Sequence, residues 1–278
     1  MKVLILGSRG NLGPEMVEVF SDEKPTAFDK DELDITDEES VMGVITRLKP
    51  ELVINCAAYN LVDKAEGEGR QIAEDINGTA VGFLAKACNK AGATLVHFSS
   101  NYVFDGKKTE GYNEDDTPKP VSVYGRSKLI GEIELQKNTE KYYLVRTAWL
   151  YGKQGKSEKS KKNFVDTMLA FAENGQKIEC VEDQFGQPTF TKDLAQTVKA
   201  LVKEQKPYGI YHLTNAGEAS WHSWAAEIFK IKSLKPDLTP TSFADFERPA
   251  KRPQYGILNN TKYLELRPWT EALKEYLK

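Results

Sequence analysis

Val3-Leu4-Ile5-Leu6 runs straight into Gly7, Gly10 and Gly13, glycines set three residues apart ahead of a helix-like stretch that reaches Phe20. This order constrains the fold more than any other feature of the chain. A short run that is apolar at every position reads as a strand covered on both faces. Glycines directly after it allow a tight turn and a close approach to the backbone. The helix that follows offers free N–H groups and the positive end of its dipole, which together favour an anion. The spacing is G-x-x-G-x-x-G rather than G-x-G-x-x-G, yet the strand–loop–helix setting points to a dinucleotide pyrophosphate.

The same alternation continues along the chain. Apolar runs at 26–28, 52–54, 94–98 and 143–145 predict further strands, and the stretches 37–48, 66–91 and 123–136 predict helices. Thr36 is the expected cap of the first of these helices, and Gly92 the stop of the second. Strands alternating with helices mean βαβ units, so the expected class is α/β, a Rossmann-like doubly wound parallel sheet with a smaller C-terminal substrate-binding lobe. Residues 1–150 are expected to form the dinucleotide-binding lobe, completed by 190–213. Residues 151–278 then supply mainly the substrate-binding lobe, without being an independent domain. Within that second half, helices are predicted at 163–173, 192–203, 220–229 (with Ser220 as cap) and 269–277, and a strand at 209–213. The Lys-, Ser- and Gly-rich stretch 152–162 predicts a mobile loop, and Pro236, Pro240, Pro249 and Pro253 mark an irregular region.

Composition narrows the function classes. Across 278 residues, 38 Lys and Arg face 41 Asp and Glu, a net charge of −3 that argues against a nucleic-acid partner. No apolar run has the length of a membrane span, and the opening run is too short for a signal peptide. Cys56, Cys88 and Cys180 are odd in number and far apart, which suggests neither a disulfide framework nor a metal site. A reducing, cytoplasmic setting is expected, with the protein a monomer or homodimer.

Candidate chemistry lies further along. Tyr124 and Lys128 are four residues apart, on one face of a predicted helix. A phenol ordinarily titrates near pH ~10, and a neighbouring ammonium is expected to lower it toward a working range. Ser99 and Ser100 end the fourth predicted strand, at the carboxyl edge where parallel sheets bind ligands. A serine hydroxyl there can hold a carbonyl oxygen beside the phenol. Asp29 ends the second strand, where an acidic residue can bond the adenosine ribose hydroxyls or serve as a solvated loop charge. Arg9 and Lys30 are placed to neutralise a 2′-phosphate, so NADH and NADPH both remain open.

Taken together, these residues resemble an extended short-chain dehydrogenase/reductase, and more narrowly the dTDP-4-dehydrorhamnose reductase family. The matching runs are Val62-Asp63-Lys64-Ala65-Glu66, Ser99-Ser100-Asn101-Tyr102-Val103-Phe104, Val123-Tyr124-Gly125 through Gly131-Glu132, Arg146-Thr147-Ala148-Trp149-Leu150-Tyr151 and Asp183-Gln184-Phe185-Gly186-Gln187-Pro188-Thr189, with Arg252-Pro253 and Pro268-Trp269 near the end. The resemblance spans essentially the whole chain. It implies reduction of the C4 ketone of dTDP-4-dehydro-L-rhamnose by NADPH or NADH, with Tyr124 as general acid, Lys128 as its tuner and a ribose ligand, and Ser100 as carbonyl polariser. It places Gly7, Arg9, Gly10, Asn11, Leu12, Gly13, Asp29, Asp34, Ile35, Cys56, Ala57, Ala58 and Asn77 at the cofactor. It places Val62, Asn101, Tyr102 and Trp149 around the sugar, and Phe185, Gly186, Pro188 and Arg252 at the nucleotide end; no metal is implied. Asn101 stands where this family usually has Asp, which removes any carboxylate role there.

Two alternatives carry a different activity. A related nucleotide-sugar reductase, epimerase or dehydratase would use the same scaffold, although dehydratases of this superfamily need an acidic pair after the active-site hydroxyl and Ser100-Asn101 offers none. A non-catalytic subunit resembling the methionine adenosyltransferase β subunit would keep the fold, and the intact Ser100, Tyr124 and Lys128 favour an enzyme over it. Other features read as ordinary structure. Gly155-Lys156-Ser157 imitates a P-loop ending, but Leu150 occupies the position of its first glycine. Lys153, Lys156, Lys159, Lys161 and Lys162 read as a solvated loop, His97 as a satisfied core residue, and Trp221 and Trp224 as core packing.

Overall fold

The computed structural model describes residues 1–155 and 162–278. The mobile loop expected at 152–162, with Lys156, Lys159 and Lys161, falls largely outside the described residues. Strands β1 (Val3–Leu6), β2 (Thr26–Phe28), β3 (Leu52–Asn55), β4 (Thr94–Ser100), β5 (Tyr142–Thr147) and a sixth, Gly209–His212, form one parallel sheet. Their order across the sheet is Gly209–His212, β5, β4, β3, β1, β2. The chain steps outward from β1 to β2 and then returns past β1 to β3, so the order reverses beside β1, the place where doubly wound sheets open a ligand crevice.

Both faces of the sheet are covered, which explains the uninterrupted apolar runs. Val3 and Ile5 point into a cluster with Met16 and Phe20 at α1 (Gly13–Val19) and with Leu194, Val198 and Leu201 of a later helix, Thr191–Lys203. Leu4 and Leu6 point the other way, into a cluster with Val41 and Ile45 of α2 (Glu38–Leu48) and Val81 and Leu84 of a helix at Ala80–Ala91. Alternate strand residues therefore feed opposite cores.

Two local expectations are corrected. Asp37, not Thr36, caps α2, its Oδ1 accepting from the Ser40 N–H at 3.1 Å, while the Thr36 hydroxyl donates to Asp34. The helix expected over 66–91 starts later: a 3₁₀ turn at Lys64–Glu66 ends at Gly67, and the helix then runs on from α3 (Arg70–Glu74) through a π-helical turn at Asp75–Thr79 into α4 (Ala80–Ala91), with helical backbone at every junction. The π-helical turn carries a polar anchor. The Asn77 side chain accepts from the Tyr59 N–H and donates to the Tyr59 carbonyl, both at 2.9 Å, drawing the wide turn onto the loop after β3. Gly92 ends α4 in the left-handed region, as expected.

Helix α5 (Val123–Asn138) crosses behind β4 and β5, capped by Ser122. Its Glu132 and the Arg146 of β5 form a buried two-pronged ion pair, with N–O distances of 3.0 and 2.7 Å, and Arg146 also donates to the Glu114 carbonyl. Beyond the sheet, α6 (Phe164–Glu173), α8 (Trp221–Ile231) and α9 (Trp269–Tyr276) surround a core containing Tyr151, Phe190, Trp224 and Trp269, while α7 (Thr191–Lys203) packs on α1. Ser220 caps α8 through a reciprocal capping box with Ser223. The region punctuated by prolines is less irregular than expected. Leu238–Thr241 pairs in parallel with Ile178–Val181, and Pro240 is accommodated in this two-stranded edge. Among the described residues no helix is long and apolar enough to cross a membrane.

The ion pair between α5 and β5 supplies a stability test. Glu132→Gln keeps the side-chain shape but leaves the Arg146 guanidinium buried without its countercharge. We expect a loss of about 3–5 kcal/mol in urea unfolding at neutral pH, the usual cost of breaking a buried pair on one side.

Candidate active site

The glycine loop turns sharply at the end of β1. Gly7 adopts φ +71°, and a Cβ there would lie 2.5 Å from the Ala57 nitrogen. The backbone at Cys56 and Ala57 is thus pressed against Gly7, and the Cys56 N–H donates to the Leu6 carbonyl at 2.9 Å. A Cβ on Gly13 would meet the Gly7 carbonyl at 2.2 Å, whereas among the described residues one on Gly10 would meet only that carbonyl, at 3.4 Å. Two glycines are therefore demanded by the fold itself, and the third is not crowded by any described residue. Leu12 is buried at the start of α1, and the Asn11 side chain accepts from the Gly155 N–H.

Asp29 organises this loop, one carboxylate oxygen accepting from the Arg9 N–H and the other from the Lys30 N–H, both at 2.8 Å. The Arg9 guanidinium pairs with Asp31 and Glu32, and Lys30 pairs with Asp34 at 3.4 Å. Hydrogen bonds from Thr36 hold the Asp34 carboxyl below the usual range. Ile35 is buried in the core under α2 and α4. Ala58 follows the close approach of Ala57 to Gly7, and Asn77 lies inside the protein, its amide spent on Tyr59 and on the Ser127 hydroxyl.

Ser100, Tyr124 and Lys128 meet where β4 ends. Tyr124 is buried, packs edge-to-face on Tyr102 with centroids 5.3 Å apart, and donates to Asn60 Oδ1 at 3.3 Å. Val62 belongs to the same cluster. Burial pushes the Tyr124 phenol above its ordinary pKa, with Tyr102 adding to the rise and the Ser100 hydroxyl opposing it. The expectation that Lys128 lowers the phenol is not met. The Lys128 ammonium is turned to the Phe98 carbonyl at 3.2 Å, and burial lowers its own pKa to about 8. The phenol is accordingly held as the neutral acid.

The opposite wall is built from distant sequence. The Trp149 backbone lies in the left-handed region at φ +45°, and its ring stacks on Trp221 with centroids 3.8 Å apart. A Cβ on Gly186 would lie 2.4 Å from that ring, so Gly186 is what allows Trp149 to lie flat. Phe185 stacks on Tyr255, its carbonyl accepts from the Gly256 N–H at 2.9 Å, and its own N–H donates to the Gln254 carbonyl at 2.7 Å. Gln184 donates to the Pro253 carbonyl and Gln187 accepts from the Leu258 N–H, with Pro188 buried between Gln187 and the short strand Thr189–Phe190. The Asp-Gln-Phe-Gly run is thus zipped to the C-terminal segment by its own polar side chains. Trp224 is core, as expected, while Trp221 is only partly buried and donates to Gln184. His97 is only half satisfied: Nδ1 meets Asn55, and Nε2 has no partner among the described residues.

Three residues of this site escaped sequence reasoning. Asp63 accepts both bonds from the Arg252 guanidinium, at 3.0 and 2.8 Å, and also accepts from the Ala250 N–H. Glu66 accepts from the Val123 N–H at 2.8 Å and so secures the first turn of the helix that carries Tyr124. Asn60 holds the phenol itself. Asp63 and Glu66 lie in a run that the family resemblance had marked, but their partners stand 189 and 57 residues away, beyond any local pattern.

A parallel sheet that reverses beside its first strand, with a glycine loop at that point and Ser, Tyr and Lys at the carboxyl edge, defines a Rossmann-like oxidoreductase of the extended short-chain type. The family model for the RmlD substrate binding domain matches residues 1–278, and the chain belongs to this family, that of the dTDP-4-dehydrorhamnose reductases. It is 37% identical over 282 residues to the Bacillus subtilis spore coat polysaccharide biosynthesis protein SpsK, covering 99% of this chain and 96% of that protein. It is 38% identical to the dTDP-4-dehydrorhamnose reductase of Streptomyces griseus, covering 98% and 91%. The crystal structure of the Bacillus anthracis dTDP-4-dehydrorhamnose reductase in complex with NADP superposes with a TM-score of 0.93 at 37% identity, covering 99% of each chain.

The glycine geometry separates fold from site. Gly13→Ala forces a methyl group against the Gly7 carbonyl, and we expect it to destabilise by about 1–3 kcal/mol, as overpacking does. Gly10→Ala has room, so its thermal unfolding should match that of the unsubstituted protein.

Proposed function

We propose that this protein reduces the C4 ketone of dTDP-4-dehydro-L-rhamnose to dTDP-L-rhamnose, using NADPH or NADH. The observation that carries the reading is the buried Tyr124 phenol near Ser100, with Lys128 on the same helix, at the carboxyl edge of β4. The cradle fits a dinucleotide: Gly10 leaves its loop open to an incoming pyrophosphate, while Gly7 and Gly13 hold the backbone close. Gly7, Arg9, Gly10, Asn11, Leu12 and Gly13 would hold that pyrophosphate end. Asp29, Asp34 and Ile35 would border the adenosine, and Cys56, Ala57, Ala58, Asn77 and Lys128 the nicotinamide half. A bound nicotinamide supplies the hydride.

The chain's own residues do the rest. As hydride reaches the ketone carbon, negative charge gathers on its oxygen. Ser100 donates a hydrogen bond to that oxygen and Tyr124 delivers the proton. The raised phenol pKa keeps this proton in place until the alkoxide forms. Val62, Tyr102 and Trp149 line the sugar, and Phe185, Gly186, Pro188 and Arg252 hold the nucleotide end, with Asp63 fixing the Arg252 guanidinium. In this arrangement residues 1–150 with 190–213 form the dinucleotide lobe, and the remainder of 151–278 serves mainly the substrate. A 2′-phosphate would have to draw Arg9 and Lys30 from their carboxylate partners, whereas a ribose diol would not.

Tyr124→Phe keeps the ring and removes the proton. Turnover of the keto-sugar should fall by about 10²–10⁴ with dinucleotide affinity unchanged in calorimetry; turnover at the original rate would defeat the mechanism. Trp149→Ala removes the flat wall against Gly186. Binding of the dTDP-sugar should weaken far more than binding of NADPH, and equal losses would instead indicate collapse of the aromatic core it shares with Trp221 and Trp224.

A further inference from the structure

We propose that Asn101 is a positioning residue, whose side-chain amide ties the Ser100 hydroxyl to the Gly256 carbonyl, rather than a direct ligand of the sugar. The rate measurements that test this rest on the proposed reductase function. Asn101 follows β4 in a 3₁₀ turn and is 2% exposed. Its Nδ2 donates to the Gly256 carbonyl at 3.0 Å, and its Oδ1 accepts from the Ser100 hydroxyl at 3.2 Å. Gly256 is 155 residues away and comes close only because it lacks a side chain: a Cβ there would lie 2.3 Å from Nδ2.

The chemistry of the two partners sets the direction of the amide. A carbonyl only accepts, so Gly256 requires the donor end, which leaves Oδ1 to face Ser100. Ser100 Oγ also accepts from the Tyr102 N–H at 3.2 Å. Its hydroxyl is therefore held from two sides, with its one proton on a neutral acceptor. A ketone oxygen can compete with a neutral amide for that proton. It competes poorly with a carboxylate, whose charge-assisted bonds are about twice as strong. The bridge also has a second consequence. Gly256 donates to Phe185, so Asn101 joins the hydroxyl that would hold the ketone to the Phe185–Tyr255 wall proposed for the nucleotide end. The ionisable groups gathered around Ser100 and Tyr102 are Tyr124 and Lys128 on α5, Asp63 after β3, and Arg248 and Arg252 on the C-terminal segment.

The test is Asn101→Asp, beside Asn101→Ala, with kcat and KM measured from about pH 5.5 to 9 and thermal unfolding followed over the same range. A protonated Asp replaces the Nδ2 donor with its O–H, whereas an ionised one opposes the Gly256 carbonyl and captures the Ser100 proton. Burial raises the folded-state pKa of such a carboxyl, so its share of stability is present at the acid end and is lost as pH rises through that value. We expect Asn101→Asp to run near the original rate at acid pH and to lose about tenfold or more against it as pH rises, with sugar KM and NADPH affinity little changed. The Tm gap should widen in step. Asn101→Ala should be slowed by one factor at every pH. A constant rate ratio and a constant Tm gap for Asn101→Asp would overturn the proposal, as would a raised sugar KM with unaltered kcat. Failure of the unsubstituted protein to reduce the keto-sugar would defeat the reductase reading, and the Tm series would still decide the bridge.

Discussion

Six strands running in one direction cannot be joined by hairpins, so every connection has to travel back across a face of the sheet. That constraint puts helices on both faces, makes β1 apolar at every position, and leaves all the strand ends of one kind on one edge. The glycine loop, Ser100 and the loop after β3 share that edge for this reason. Gly7 can turn there only because the Cys56–Ala57 backbone fits against a residue without a side chain. The glycine loop and the polar groups beside it are thus consequences of one topological fact.

The loop after β3 connects the parts of the site. Through Tyr59 it is held by Asn77, through Asn60 it holds the Tyr124 phenol, through Asp63 it grips Arg252, and through Glu66 it anchors the start of α5. The Asp63–Arg252 pair is partly exposed, so its worth lies in orientation more than in stability. The Glu132–Arg146 pair differs, being fully buried and two-pronged, and it fixes α5 against β5. Rigid support of this kind keeps reacting groups within the small tolerances that catalysis requires.

Electrostatics around the site follow burial rather than simple pairing. Tyr124 and Lys128 are both taken out of water, so the phenol rises and the ammonium falls, each toward its neutral form. Four-residue spacing on a helix puts the two side chains on one face, but it does not say where the ammonium points. Here it points to the Phe98 carbonyl. At the glycine loop, Asp29 serves the backbone of Arg9 and Lys30 instead of standing free as a solvated charge.

What the sequence determined by itself was whatever depends on neighbours in the chain. β1 through β5, the glycine loop, the Ser220 cap, and the presence of Ser100, Tyr124 and Lys128 on suitable elements were legible because periodicity, turn chemistry and spacing are local. The π-helical turn at Asp75–Thr79 was not legible, since the Asn77 side chain within it bonds to Tyr59, 18 residues away. Nor were the roles of Asp63, Glu66 and Asn60, or the contact of Asn101 with Gly256. Those contacts, and the direction in which the Tyr124 proton is held, were decided only by the tertiary structure. Hydrogen-bond partners and dielectric surroundings come from segments that meet only once the sheet has formed, and no spacing within the chain encodes them.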